Sequence, residues 1–187
     1  MIVFFHGFAS AGKGFKSDAL KKAFGEDKVI APDLPADPLK VYELVRELAG
    51  KIPTTEKLVF VGTSLGGFYA HLFSQMMDCP CVIVNPSTRP SVTMAARIGP
   101  NTNLATGESF DVTEDHVATF GQMEEYVESS SNGALVSLFL AEDDTVLDHK
   151  LALEDIPYRK TTVITPDGGH RYEANWDAVI EEVRKII

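Results

Sequence analysis

Short, continuous apolar runs alternate along the chain with longer stretches in which apolar positions recur every three or four residues. The short runs predict strands at Ile2–Phe5, Lys28–Ala31, Lys57–Val61, Cys81–Val84, Leu135–Leu140 and Thr161–Thr165, several of them continuously apolar. Unbroken Val/Ile/Leu/Phe runs are what a sheet covered on both faces requires. The longer stretches predict helices over Lys13–Phe24, Pro38–Lys51, Leu65–Met77, Asp148–Ile156 and Glu173–Ile187. In the second, Leu39, Tyr42, Leu44, Val45 and Leu48 trace an apolar stripe; in the last, Trp176, Val179, Ile180, Val183 and Ile187 do so. Strand and helix in alternation give an α/β fold with a mostly parallel sheet and helices on both faces.

One connection breaks the rhythm. From Ser87 to Gly133, 47 residues separate two strands, where about 2–6 is usual. Pro90, Gly99-Pro100 and Thr106-Gly107 punctuate it, and two helical stretches lie near Val92–Ile98 and Thr113–Ser129. Ser129-Ser130-Ser131-Asn132-Gly133 reads as its exit loop. The expectation is one domain over residues 1–187, with 87–133 inserted as a short lid or wall over the edge of the sheet.

Composition narrows the partners. The 187 residues carry 17 basic and 27 acidic side chains, a net charge of −10. That balance argues against nucleic acid, whose phosphates need a surplus of Lys and Arg, and against anionic membranes. The first apolar run lacks a basic flank and stops at His6, unlike a signal peptide. No stretch approaches the roughly 18–20 apolar residues of a membrane span. A soluble, cytoplasmic protein is expected, as a monomer or weak homodimer. Cys79 and Cys81 flank Pro80, too close for an unstrained disulfide, and read as buried free thiols.

Chemistry concentrates at Gly62-Thr63-Ser64-Leu65-Gly66, between a strand and a helix. A serine in so sharp a turn is held in a strained conformation, and side chains two residues either side would collide, hence the two glycines. The turn lifts the hydroxyl above the sheet, over a helix N-terminus that favours developing negative charge. His170 follows Gly168-Gly169 after the last strand, and Asp144 lies just past the fifth, so the chain order is Ser64, Asp144, His170. That is the order of nucleophile, orienting acid and base in hydrolases with a nucleophile elbow. Asp143 is the alternative acid; Asp144 is preferred because Val146-Leu147 supplies an apolar anchor behind it. His6-Gly7-Phe8, after the first strand, suits an oxyanion loop, with the Phe8 and Leu65 N–H groups as donors. His71 and His116 are read as packing and solvated positions, and His6 as a stabiliser of the loop.

A rival motif occupies the same edge. Gly7 to Gly14 matches a phosphate-binding G-x-x-x-x-G-K run, but Gly14 stands where Ser or Thr would hold magnesium. A nucleotide binder at Gly7–Lys13 is therefore the lesser reading.

At Phe4-Phe5-His6-Gly7-Phe8, Val61-Gly62-Thr63-Ser64-Leu65-Gly66-Gly67-Phe68-Tyr69-Ala70, Val84-Asn85-Pro86, Asp144-Thr145-Val146-Leu147-Asp148 and Gly168-Gly169-His170, the chain resembles the α/β hydrolases, and among them the small bacterial YqiA-type esterases. The resemblance runs along nearly the whole chain. It implies a trimmed α/β-hydrolase sheet without a large cap, and hydrolysis of short acyl esters or acyl thioesters. Relatives without the elbow serine exist, so a catalytically idle binding protein on the same fold is the second reading.

The expected activity is therefore serine ester hydrolysis through an acyl-enzyme on Ser64, with no metal or organic cofactor. Phe8, Phe68, Met94 and Phe110 are candidates to line the acyl pocket. Arg89, Arg97 and Arg171 are candidates for a local positive patch, Arg171 foremost because it adjoins His170.

Overall fold

The computed structural model describes residues 1–130 and 132–187; Ser131, in the predicted exit loop, lies outside the described residues. Every residue of β1 (Ile2–Phe5) is buried, and its alternating side chains feed two separate cores. Ile2 and Phe4 join Leu20 of α1 (Phe15–Phe24) and Trp176, Val179 and Val183 of α7 (Trp176–Ile186). Val3 and Phe5 face the other way, onto Val41 and Val45 of α2 (Pro38–Gly50) and Phe73 of α3 (Leu65–Met77). A strand buried on both faces, with helices on each side, follows directly from a continuous apolar run.

Around β1 lie β2 (Val29–Ile30), β3 (Val59–Thr63), β4 (Cys81–Val84), β7 (Val136–Ala141) and β8 (Thr161–Thr165), all parallel in the order β2-β1-β3-β4-β7-β8. From β1 the chain moves outward to β2, then returns to β3 and moves outward the other way. β1 and β3 are thus neighbours whose onward connections diverge. Their carboxyl ends open a crevice of the kind where parallel sheets bind ligands. Residues 6–8 and Ser64 leave the sheet at that crevice.

The predicted strands and helices form, with shifted ends. β3 runs two residues later than predicted because Gly62 and Thr63 stay paired with Ile83 and Val84 right up to the turn. In α2 part of the stripe holds: Val45 is buried and Tyr42 packs against the core, but Leu39 is exposed and Pro38 and Val41 are buried in addition. At the chain's end Ile187 is exposed, although the rest of its predicted face is buried.

The long connection holds α4 (Pro90–Ala95), an antiparallel pair β5 (Gly99–Thr102) and β6 (Ser109–Val112), and α5 (Glu114–Ser130). α4 begins at Pro90, two residues before the predicted start, since proline suits the first helical turn. The hairpin was not legible in the sequence. Gly99-Pro100-Asn101-Thr102 has neither strand composition nor alternation, and the Asn103 side chain shapes its turn by accepting from the Ala105 and Thr106 amides. Next to Asn103, Leu104 N–H donates to Ala9 O, so the hairpin is pinned to the loop after β1. Asp148 caps α6 (His149–Asp155) by accepting from Lys150 N–H. No described helix is long and apolar enough to cross a membrane.

Candidate active site

Ser64 sits between β3 and α3 with φ 56° and ψ −126°, in the left-handed half of backbone space that a non-glycine residue adopts only when its surroundings hold it there. The surroundings do so. Ser64 N–H donates to Val84 O, and Ser64 O accepts from Gly67 N–H and Ser87 N–H. The two flanking glycines are sterically required. A Cβ on Gly62 would stand 2.0 Å from Gly66 O, and one on Gly66 would stand 2.1 Å from Phe5 O.

The serine hydroxyl lies 3.0 Å from His170 Nε2, and His170 Nδ1 lies 2.8 Å from Asp144 Oδ2. A carboxylate only accepts, so Nδ1 carries the proton and Nε2 is the acceptor facing Ser64. Asp144 is enclosed. Its Oδ1 accepts from Val146 and Leu147 N–H, which fixes the carboxylate in the turn that β7 delivers. The neighbouring aspartate does something else. Asp143 Oδ1 accepts from Gly169 N–H, holding the loop that bears His170. That loop turns through positive φ at Gly168 (122°) and Gly169 (54°).

Asn85 completes the support. Buried at the end of β4, it accepts from Ala141 N–H and donates to the carbonyls of Gly169 and His170. One side chain thereby ties the carboxyl ends of β4 and β7 to the histidine loop. In the sequence, Asn85-Pro86 stands out only as part of a resemblance; a lone Asn after an apolar strand gives no signal of what it will bind.

The loop after β1 crosses the serine closely: a Cβ on Gly7 would stand 3.2 Å from Ser64 Cβ. His6 shapes it. Its Nδ1 donates to Gly7 O and its Nε2 accepts from Leu34 N–H, so both ring nitrogens are engaged and burial lowers its pKa. Among the described residues, neither Phe8 N–H nor Leu65 N–H has an acceptor. Leu65 opens α3, where the helix dipole adds to the attraction for an anion.

Two spaces meet here. An open groove of 740 Å³ contains Ser64, His170, Phe8, Lys16, Arg97, Arg171 and Glu173. A more enclosed cavity of 240 Å³ lies on the other side of residues 6–10, walled by Leu34, Leu65, Tyr69, Met94, Phe110 and Phe120 among others. Met94 and Phe110, from the long connection, line this cavity, with Phe110 edge-on to Phe8 at 5.5 Å. Phe68 does not: it lines neither space and packs in the core against Tyr69 and Phe120.

The predicted arginine patch divides three ways. Arg89 is committed to Asp155 through two hydrogen bonds, and lines neither space. Arg171 reaches the groove but pairs with Glu173 at 2.7 Å. Arg97 lies 5.9 Å over the Phe8 ring with no ion pair among the described residues. A cation without a sequence signal stands with them: Lys16, 5.4 Å over Trp176, whose pKa burial brings down to about 8.

The phosphate-loop reading loses its donors. Gly12 N–H donates to the Asp33 carboxylate and Gly14 N–H to Ser17 Oγ, and a carboxylate inside the loop repels phosphate. His116 caps the start of α5 through mutual hydrogen bonds with Thr113. Cys79 and Cys81 are free and buried, with thiols pushed up to about 12 by burial. Among the described residues, no three His, Cys, Asp or Glu side chains converge as metal ligands.

Residues 1–186 match the uncharacterised protein family UPF0227. The chain is a member of UPF0227. Its sheet is shared with solved structures at low identity. Est1E from Butyrivibrio proteoclasticus is similar with a TM-score of 0.74 and 15% identity, over 98% of this chain and 85% of its own. Mouse alpha/beta hydrolase domain-containing protein 10 is similar at 0.73 and 15%, over 98% and 88%. Paleococcus ferrophilus monoacylglycerol lipase is similar at 0.72 and 13%, over 100% and 94%. These likenesses give this UPF0227 member the α/β-hydrolase fold.

Proposed function

We propose that this UPF0227 protein is a serine hydrolase that cleaves short acyl esters or acyl thioesters through an acyl-enzyme on Ser64. The observation that carries the reading is the unbroken line Ser64 Oγ, His170 Nε2, His170 Nδ1, Asp144 Oδ2, with Phe8 and Leu65 N–H lacking acceptors among the described residues. Ser64 Oγ attacks the acyl carbonyl and its proton passes to His170 Nε2, while Asp144 stabilises the imidazolium. The carbonyl oxygen, now negative, is received by Phe8 and Leu65 N–H; one such donor contributes about 3–4 kcal/mol to the transition state. His170 then protonates the departing alcohol or thiol, and afterwards activates the water that releases the acid.

The two spaces divide the substrate. The cavity beside Leu65 takes the acyl chain, and the open groove with Lys16, Arg97 and Arg171 takes the alcohol side. Residues of the long connection wall the acyl side, so this connection sets chain length. A chain-length series of 4-nitrophenyl esters and acyl thioesters tests the proposal. Turnover that is highest for short chains, and falls at least about 10³-fold in Ser64→Ala, is the expected result. Failure of every acyl substrate, or full activity in Ser64→Ala, would favour a binding protein on a hydrolase fold.

A further inference from the structure

Tyr69 is one of the larger fully enclosed side chains, 2% exposed, and its ring is gripped by Phe68, Phe73 and Phe120 at 5.9–6.5 Å between centroids. Its hydroxyl makes no hydrogen bond to any described residue. Among the described residues, the unpaired side-chain N and O atoms shut off from solvent belong to His71, Gln75, Tyr172 and Trp176, and the Tyr69 hydroxyl is not among them. It therefore keeps access to open space, and the space that Tyr69 lines is the 240 Å³ cavity.

The rest of that cavity offers little competition for a polar guest. Both His6 nitrogens are engaged, the Asn103 side chain is spent on its own turn and on Ser10 O, Glu108 and Ser109 are exposed, and the half-buried Ser10 is the other hydroxyl on the lining. The deep wall of Leu65, Met94, Val112 and Phe120 is apolar. A buried phenol facing such a wall is an unmet donor, and buried donors are normally met.

We propose that Tyr69 determines acyl specificity: the cavity selects an acyl chain bearing an uncharged oxygen acceptor, a hydroxy- or oxo-acyl group, over a plain alkyl chain of equal length. The inference rests on the serine-hydrolase reading and names the substrate class of the same site. Two features set the chemistry of the acceptor. Burial, and after it the charge of Asp37, holds the phenol well above its ordinary range, so it stays a neutral donor. The same carboxylate disfavours an anionic chain end.

The test pairs 4-nitrophenyl hexanoate with 4-nitrophenyl 5-oxohexanoate, which share length and leaving group. Wild type is expected to favour the oxo ester about tenfold in kcat/KM, and Tyr69→Phe, which removes one unpaired oxygen, to bring the ratio to about one. Melting temperature monitors folding of the variant. A second arm measures binding of methyl 5-oxohexanoate and methyl hexanoate to Ser64→Ala by ligand-observed NMR, with and without Tyr69→Phe, and reads the same preference without turnover. The binding ratio decides: a preference for the oxo compound that Tyr69→Phe abolishes supports the assignment, and equal binding or a preference that survives overturns it. Absence of Ser64-dependent turnover with that binding preference intact would sink the hydrolase reading alone.

Discussion

Asp143 and Asp144 show how finely one position matters in this site. Sequence order and the apolar residues behind Asp144 favoured it, and the structure puts Asp144 on the imidazole and Asp143 on the loop amide. Adjacent side chains in a turn point apart, so the two carboxylates do different work. Asp144→Asn is expected to lower kcat about 10³–10⁴-fold, because the amide favours the wrong imidazole tautomer. Asp143→Asn keeps an oxygen that can accept from Gly169 and is expected to cost about tenfold or less. Steady-state kinetics on one short-chain ester compares them. Residues with a motif around them, such as Ser64 and His170, were legible because the chemistry restricts what can stand beside them. Asn85, Lys16 and Tyr69 were not, because what they do depends on neighbours brought from distant parts of the chain.

At the scale of elements, legibility followed the apolar and β-branched runs. β1 and β4, buried along their whole length, were placed to the residue, as was α3, and so was β8, whose residues alternate between half-buried and exposed. The β5–β6 hairpin was missed because side-chain hydrogen bonds and a contact to the loop after β1, not periodicity, hold it. α3 carries its own consequence. His71 is buried on it, Nε2 has no partner among the described residues, and burial lowers its pKa to about 4. In the unfolded chain the ring takes up a proton near pH 6.5. Stability from the neutral ring is therefore complete above that pH, declines as pH falls, and is gone below about 4. Urea unfolding at pH 7 and pH 4.5 is expected to show His71→Leu losing about 2–3 kcal/mol less than wild type across that interval.

For the molecule as a whole, the topology makes the site and the composition dresses it. The divergence of connections at β1 and β3 puts residues 6–8, Ser64 and, from further along the sheet, Asp144 and His170 at one edge. Alternating strands and helices made that architecture readable; the path of the 47-residue connection, which walls the cavity, was not. The net charge of −10 acts at long range against anionic substrates. Yet Lys16 and Arg97 stand in the groove without ion pairs among the described residues, so the local field differs from the global one. The proposed mechanism turns on Ser64 as an activated nucleophile. The most direct test is to treat the protein with a fluorophosphonate probe and map the adduct by peptide mass spectrometry. A single phosphonylated residue at Ser64, lost in His170→Ala and accompanied by loss of esterase activity, is the predicted result; an active enzyme that leaves Ser64 unlabelled contradicts it.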